Sequence, residues 1–460
     1  MSTTQTTPGW TLNGQLEPAH NIRPERRARS LSGLPPKRHD EAGNRWLRLL
    51  TNPWTWISVV LFQLYAVTLY LVWRQLSADQ VFPEGVVPGL DWATLKECAG
   101  YAAPTAAVWS LFFIAFDRLR PMKPLFWLLA FGWGSCMSIW LSLNINSWAA
   151  QLLNVSASPG DPAAQARPAV FVAPFVEEAA KATFLFLLAV LVRYRIVSGL
   201  QSICLAGLAA IGFAFTENIV YYARALVYGS VTTGAGDVEQ AVQQLVFLRG
   251  VITSFGHPLF TMLTGIGLVI GLRTRSKLVR ILAPLTGFLL SALGHMAFNG
   301  MSSISEMSMR RLVIQFVIVI AVILFIMVRA LRKELQRIRT RLGDYVQLGW
   351  LDAREVPNYG TVRRRSWLVM VAVRRGWRTL RATLARMRDM SELAYLRDAM
   401  VRGVVDEAGH ERERELLGQL QALRPLALVE ADGLRMEIPW HRLAFWRRRR
   451  AVAASHWPAP

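Results

Sequence analysis

The chain has 460 residues, 53% of them hydrophobic, with 17 Trp and a formal net charge of +21. So apolar a composition, at 18% charged residues, excludes an ordinary soluble domain and indicates an integral membrane protein. The cysteines are only Cys98, Cys136 and Cys204, which excludes both a paired disulfide framework and a Cys/His cluster with metal spacing.

Residues 1–50 are polar and basic, with Arg23, Arg26, Arg27 and Arg29 among them, too long and too charged for the n-region of a cleaved signal peptide. They predict a disordered cytoplasmic tail followed by a retained first span. Apolar runs that fit a bilayer core of about 30 Å fall near 53–73, 99–116, 124–144, 169–192, 200–223, 245–272, 279–299 and 311–328, about eight transmembrane helices. Basic groups follow the second span (Arg118, Arg120, Lys123), the fourth (Arg193, Arg195) and the sixth (Arg273, Arg275, Lys277, Arg280). Acidic groups such as Glu84, Asp161 and Asp237 fall in the alternate loops, and only Arg310 and Arg311 run against the pattern. The alternation predicts a multi-pass protein of the cell membrane with both termini cytoplasmic.

From residue 329 onward the chain carries 27 Lys/Arg against 15 Asp/Glu. Apolar positions at helical spacing between the arginines predict a solvated helical domain that leans on anionic lipid headgroups. No motif in it points to nucleic acid. The expected fold is therefore all-α: a disordered tail (1–50), a polytopic membrane helix bundle (51–330) and an Arg-rich helical cytoplasmic C-terminal region (331–460). Arg outnumbers Lys by 46 to six, which hints at a GC-rich bacterial genome.

Within the spans stand Glu177, Glu178, Lys181, Glu217, Arg249, His257 and His295. A charge near a helix centre costs roughly 2.5–3.5 kcal/mol on insertion scales, so several together imply mutual contact and usually function. With those spans, Glu177, Glu217, His257 and His295 lie about 2–9 Å to one side of their midpoints, at nearly one level. Lys181 can reach Glu178 at i,i+3 or Glu177 at i,i+4, while the two glutamates diverge by about 100°. Pro174 predicts a helix start that would put both glutamates in the first turn. In the fifth span Ala206, Ala210 and Ala214 form a seam of small residues above Glu217, with Phe213 one turn away. Steps of four align Arg249, Thr253, His257 and Thr261 in the sixth span, and Gly287, Ser291, His295 and Asn299 in the seventh.

Carboxylates and two imidazoles in a shielded cavity suit water activation, with Glu as general base and His or Asn stabilising an oxyanion. Glu217, His257 and His295 could instead hold a divalent metal such as zinc that lowers the pKa of bound water. The chain has no H-E-x-x-H, which excludes a zincin-type site. A membrane hydrolase leads on these grounds. The competing reading is a proton-coupled transporter or a non-catalytic scaffold that uses the same groups.

Glu177-Glu178-x-x-Lys181, Phe213-x-x-x-Glu217, the lone His257 and His295-x-x-x-Asn299, in that order on four successive spans, resemble the PrsW-type intramembrane proteases. That group is related to the CAAX prenyl protease (Abi) superfamily. The resemblance covers roughly residues 50–330. It implies a peptidase that cuts a membrane-associated protein, in some members an anti-sigma factor. By motif position Glu177 would activate water, Glu178 and Lys181 would support it, and Glu217, His257 and His295 would be polar or metal-binding partners. Asn299 stands where the pattern more often has Asp, and its neutral amide suits an oxyanion donor. The resemblance leaves metal-dependent and metal-free mechanisms both open.

Overall fold

The computed structural model describes residues 46, 49–50, 52–82, 85–152, 162–191, 196, 198–231, 237–304, 308–405 and 407–430. The basic N-terminal tail, Glu84, Asp161, Arg193, Arg195 and residues 431–460 lie outside them.

The first helix, α1 (Pro53–Leu76), starts at an Asn52 cap whose side chain accepts from the Trp54 amide, with Pro53 at the position where a missing N–H costs nothing. A short antiparallel hairpin, β1 (Gln80–Phe82) and β2 (Gly85–Val87), links it to α2 (Trp92–Phe116), which Asp91 caps through the Thr94 amide. The third span joins α3 (Pro124–Gly132) to α4 (Ile139–Leu152) through a π-helical segment, Trp133–Ser138. Then come α5 (Pro162–Phe171), α6 (Ala173–Leu191) and α7 (Gly199–Val231). A second π segment, Leu248–Ile252, separates α8 (Val238–Phe247) from α9 (Gly256–Leu272); α10 (Lys277–Ile304) packs on α9, and α11 (Met309–Gln347) packs on α7 and the second π segment.

The protein is an all-α polytopic membrane bundle. Seven of the described helical stretches are long and apolar enough to cross a bilayer, and α6 is not among them. Its 19 residues span about 28 Å, enough for the hydrocarbon core, but Glu177, Glu178 and Lys181 interrupt its apolar face. Two of the expected spans are also broken. The 169–192 run divides at Val172, so α6 begins at Ala173 and the two glutamates sit in its second turn rather than its first. The 245–272 run divides at residues 253–255, so Arg249 and His257 belong to different helical segments.

Helix α7 is the axis of the bundle, with 89% of its apolar stretch buried. It packs on α2, α3, α9 and the first π segment. Close approach there depends on glycine: a methyl group at Gly134 would collide with the Ala209 carbonyl of α7, and one at Gly212 with the Phe131 carbonyl of α3.

Beyond the bundle, α11 continues into a helical module with α12 (Val356–Tyr359), α13 (Val362–Arg375), α14 (Trp377–Val401) and α15 (Glu407–Leu423). Ile338, Leu342, Tyr359, Met390 and Leu393 form its core, joined by Leu119 from the turn after α2. The sequence leads one to expect solvated arginines here, and part of that expectation needs correction. Arg386 is 2% exposed, donates to Glu355 at 2.5 Å and to the Leu420 carbonyl at 2.6 Å, and Arg365 donates to the Leu119 carbonyl at 2.8 Å. Buried guanidiniums persist only when paired: Arg386 ties the module together internally, and Arg365 fastens it to one face of the bundle. Arg120 and Arg412 both bind Glu392, at 3.1 and 2.8 Å, while Arg273 reaches Asp398 at 3.1 Å.

Candidate functional site

The first π segment sets the site's two carboxylate-bearing helices. A π turn frees carbonyls from the regular ladder, and such turns recur at functional sites. Here the Ser135 carbonyl accepts from Thr216 Oγ1 at 2.8 Å, next to Glu217, while Trp133 Nε1 and Ser138 Oγ both donate to the Ala180 carbonyl at 3.0 Å, next to Lys181. The α6 and α7 faces that carry Lys181 and Glu217 are therefore clipped to one short stretch of the third span.

Glu178 and Lys181 form the floor, and both side chains are fully buried. Lys181 Nζ donates to Glu178 Oε1, and Thr261 Oγ1 and Ser291 Oγ donate to Oε2 at 2.8 and 2.7 Å. His295 Nδ1 lies 3.3 Å from Glu178 Oε1 but is out of line for a hydrogen bond. A buried carboxylate held by a cation and two hydroxyls is a structural anchor, saturated at both oxygens.

Lys181 also reaches His257 Nδ1 at 3.1 Å and lies 4.5 Å from the centre of the Phe213 ring. An ammonium can only donate, so Nδ1 accepts and the ring proton sits on Nε2. That nitrogen faces Glu217 Oε2 at 2.9 Å and donates to it. Glu217 Oε2 also takes Arg249 Nη2 at 2.5 Å, and Arg249 Nε donates to Asn218 Oδ1 at 2.9 Å with its guanidinium 3.7 Å from the Tyr221 ring. The chain Glu178, Lys181, His257, Glu217, Arg249 alternates charge and imidazole across three helices and the second π segment.

Side-chain exposure rises along that chain: zero at Glu178 and Lys181, 15% at His257 and Glu217, 24% at Arg249. The cluster is thus closed at Glu178 and Lys181 and opens toward a mouth at Arg249. Phe213 and Phe260 flank the imidazoles, the latter stacked on His295 at 5.2 Å, and the two histidine rings meet edge to face at 5.1 Å.

Glu177 differs from every other carboxylate here. Its side chain is buried, yet Oε2 has no hydrogen-bond partner among the described residues. An unpaired buried oxygen is costly unless something else binds it. Glu177, His257 and His295 each offer a ligand atom, all within 4.8 Å of one another. Two imidazoles and a carboxylate with a position to spare are the donor set of a catalytic zinc-type cation. Each histidine also has a second carboxylate beside it, Glu217 or Glu178, as ligating histidines usually do. The residues present fit such a cation, and binding it would displace one of His257's two present partners.

The expected set of Glu217, His257 and His295 is thus divided. Glu177 converges with the histidines, while Glu217 Oε2 is held by His257 Nε2 and Arg249 Nη2. Asn299 Nδ2 donates to the Ala169 carbonyl at 2.9 Å and ties α10 to α5. Sequence spacing put Thr261 and Ser291 on the right faces without showing that both serve Glu178. The clips at Trp133, Ser135 and Ser138 gave no signal, because π turns have no local sequence signature.

Residues 123–328, a little under half of the chain, match the family model described as PrsW family intramembrane metalloprotease. No curated protein and no solved structure matches the chain. The matched segment runs from the turn before α3 to the apolar end of α11 and contains every residue of the cluster. It supports an intramembrane peptidase activity within a multi-pass membrane protein.

Proposed function

We propose that the chain is an intramembrane endopeptidase that cuts a membrane-anchored protein, an anti-sigma factor being one such substrate. The Glu177 carboxylate, whose Oε2 has no hydrogen-bond partner among the described residues, beside two imidazoles carries this reading. A water held at Glu177 Oε2 loses a proton to the carboxylate as its oxygen attacks the scissile carbonyl carbon. Glu177 then returns that proton to the amide nitrogen as the C–N bond breaks, leaving a carboxylic acid and an amine. Glu178 and Lys181 position His257 from below, and Glu217 and Arg249 do so from the mouth. His295, pinned against Phe260, presents its ring to the developing oxyanion. A divalent cation bound by Glu177, His257 and His295 would supply Lewis acidity and a more acidic water.

Comparative membrane proteomics of cells with the wild-type chain and with Glu177→Gln tests the reading. One full-length single-pass protein should accumulate in the mutant. If no membrane protein changes in length or abundance, while flux across liposomes depends on Glu217 and His295, the chain is a transporter.

Arg249 has a narrower role, that of a positioning residue. Its Nη2 and Nε bridge Glu217 and Asn218, so Arg249→Gln removes the group that holds Glu217 against His257. Cleavage should fall roughly 10–100-fold, the usual cost of losing such an orienting group. Arg249→Lys should recover only part of it, since a single ammonium cannot span both acceptors. Rates for the two variants within twofold of wild type would remove Arg249 from the site.

A further inference from the structure

We propose that the groove where α11 leaves the bundle is a binding site for one anionic diacyl phospholipid. This is independent of the peptidase reading. Helix α11 has 39 residues, about 58 Å of helix, nearly twice a hydrocarbon core. Its apolar stretch ends at Val328, and two adjoining hollows of about 790 and 450 Å³, sharing Arg332 and Gln336, straddle that boundary.

The larger hollow is lined by α11 alone and runs along one face of it, with Leu324, Phe325 and Val328, which are 42%, 64% and 36% exposed, at the membrane end. Less than three turns further along stand Arg329, Arg332 and Lys333. The smaller hollow is walled by Gly360–Val362 of the C-terminal module, and Arg339 closes it with a hydrogen bond of 3.1 Å to the Gly360 carbonyl.

The two linings contain four cations and no acid. The neighbouring acid, Glu334, is turned to the opposite face and occupied there by Arg337 at 2.7 Å and the Gly199 amide at 3.1 Å. Arg329, Arg332 and Lys333 have no ion pair or hydrogen bond among the described residues, in a module where many other arginines do.

A ligand that complements this groove needs an apolar body and an anionic head about two turns of helix apart. A phosphodiester headgroup suits the guanidinium forks, and acyl chains suit Leu324, Phe325 and Val328. An acidic peptide would satisfy the cations but leave the apolar half uncovered. Free phosphate would do the same. The module's wall at Gly360–Val362 is what separates this groove from a basic collar around any membrane helix.

Full-length protein purified from phosphatidylglycerol-containing membranes tests the site, with bound lipid counted by mass spectrometry after extensive detergent washing. Wild type should retain phosphatidylglycerol in preference to phosphatidylcholine. Arg329→Gln, Arg332→Gln and Lys333→Gln together should lose that preference, by roughly fivefold for each cation removed. Replacing Arg374, Arg375 and Arg378 by Gln, an equal charge change elsewhere on the module, should leave it intact. All six side chains are exposed, so folding should survive, and a melt in phosphatidylcholine alone checks this. If the triple variant does not fold, Arg332→Gln, common to both hollows, gives the same reading. Equal loss in the two triple variants, no loss in the first, or displacement of the lipid by inorganic phosphate or polyglutamate would overturn the proposal.

Discussion

Glu177→Gln is expected to leave the chain folded and to lower the rate of substrate cleavage by roughly 10²–10⁴-fold, the usual contribution of a positioned general base. The two side chains have the same shape, and Glu177 Oε2 makes no hydrogen bond that the change could break. Any effect on melting temperature should therefore be small, and the effect on turnover should appear in kcat. Glu178→Gln makes the contrast. It strips the charge from a carboxylate that holds Lys181, Thr261 and Ser291, and leaves a fully buried ammonium without its ion-pair partner. Breaking a buried pair in this way costs about 3–5 kcal/mol, so that variant should lose stability and activity together. Purified enzyme, a single-pass substrate and a thermal melt distinguish the two. Cleavage by Glu177→Gln within twofold of wild type would end the proposal for that residue.

The second large effect is expected far from the cluster. Glu392→Ala removes the acid shared by Arg120, just after the second span, and Arg412 of α15, and leaves Arg412 with Glu415 at 2.9 Å while its buried neighbour Arg120 loses its carboxylate. The cost should be about 3–5 kcal/mol in the docking of the C-terminal module, read as protease sensitivity between α14 and α15 and as a lower melting temperature. Burial works against the charged form of Glu392, but Arg120 and Arg412 outweigh it and hold the carboxyl well below the usual carboxylate range. A depressed carboxylate contributes stability above its unfolded pKa, near 4.3, and loses it only as pH falls through its folded value. The module's stability should thus owe no pH dependence to Glu392 between pH 5 and 8. A melting temperature unchanged by Glu392→Ala would mean that the Arg120–Glu392–Arg412 cluster contributes nothing measurable to the docking.

The bundle was legible in the sequence because the bilayer imposes a length and a polarity on each span. The cluster was legible for a related reason: charge is so costly in a membrane helix that Glu177, Glu178, Lys181, Glu217, His257 and His295 stood out without any alignment. What spacing could not give was their pairing. Glu177 and Glu178 are adjacent in sequence and differ in partners because Thr261 and Ser291 come from two other helices to one of them alone. Asn299 shares a face with His295 by count, yet the end of α5 reaches it first. The breaks at Val172 and at residues 253–255 were hidden by hydropathy, which reads apolar content and not helical continuity. In the Arg-rich region net charge suggested solvent, whereas Arg386 and Arg365 are interior, because charge counts say nothing about which guanidiniums meet carboxylates or carbonyls.

The π segment at Trp133–Ser138 has a consequence for how the third span tolerates change. One extra residue per turn advances the helical phase by about 100°. The half before it and the half after it therefore present different sequence faces to the same neighbour, α7. Tightening this stretch to a regular α ladder with every residue kept would swing Ile139–Leu152 by that angle, while each half alone would remain as apolar and as helical as before. For this span, register rather than hydrophobicity is the quantity under constraint.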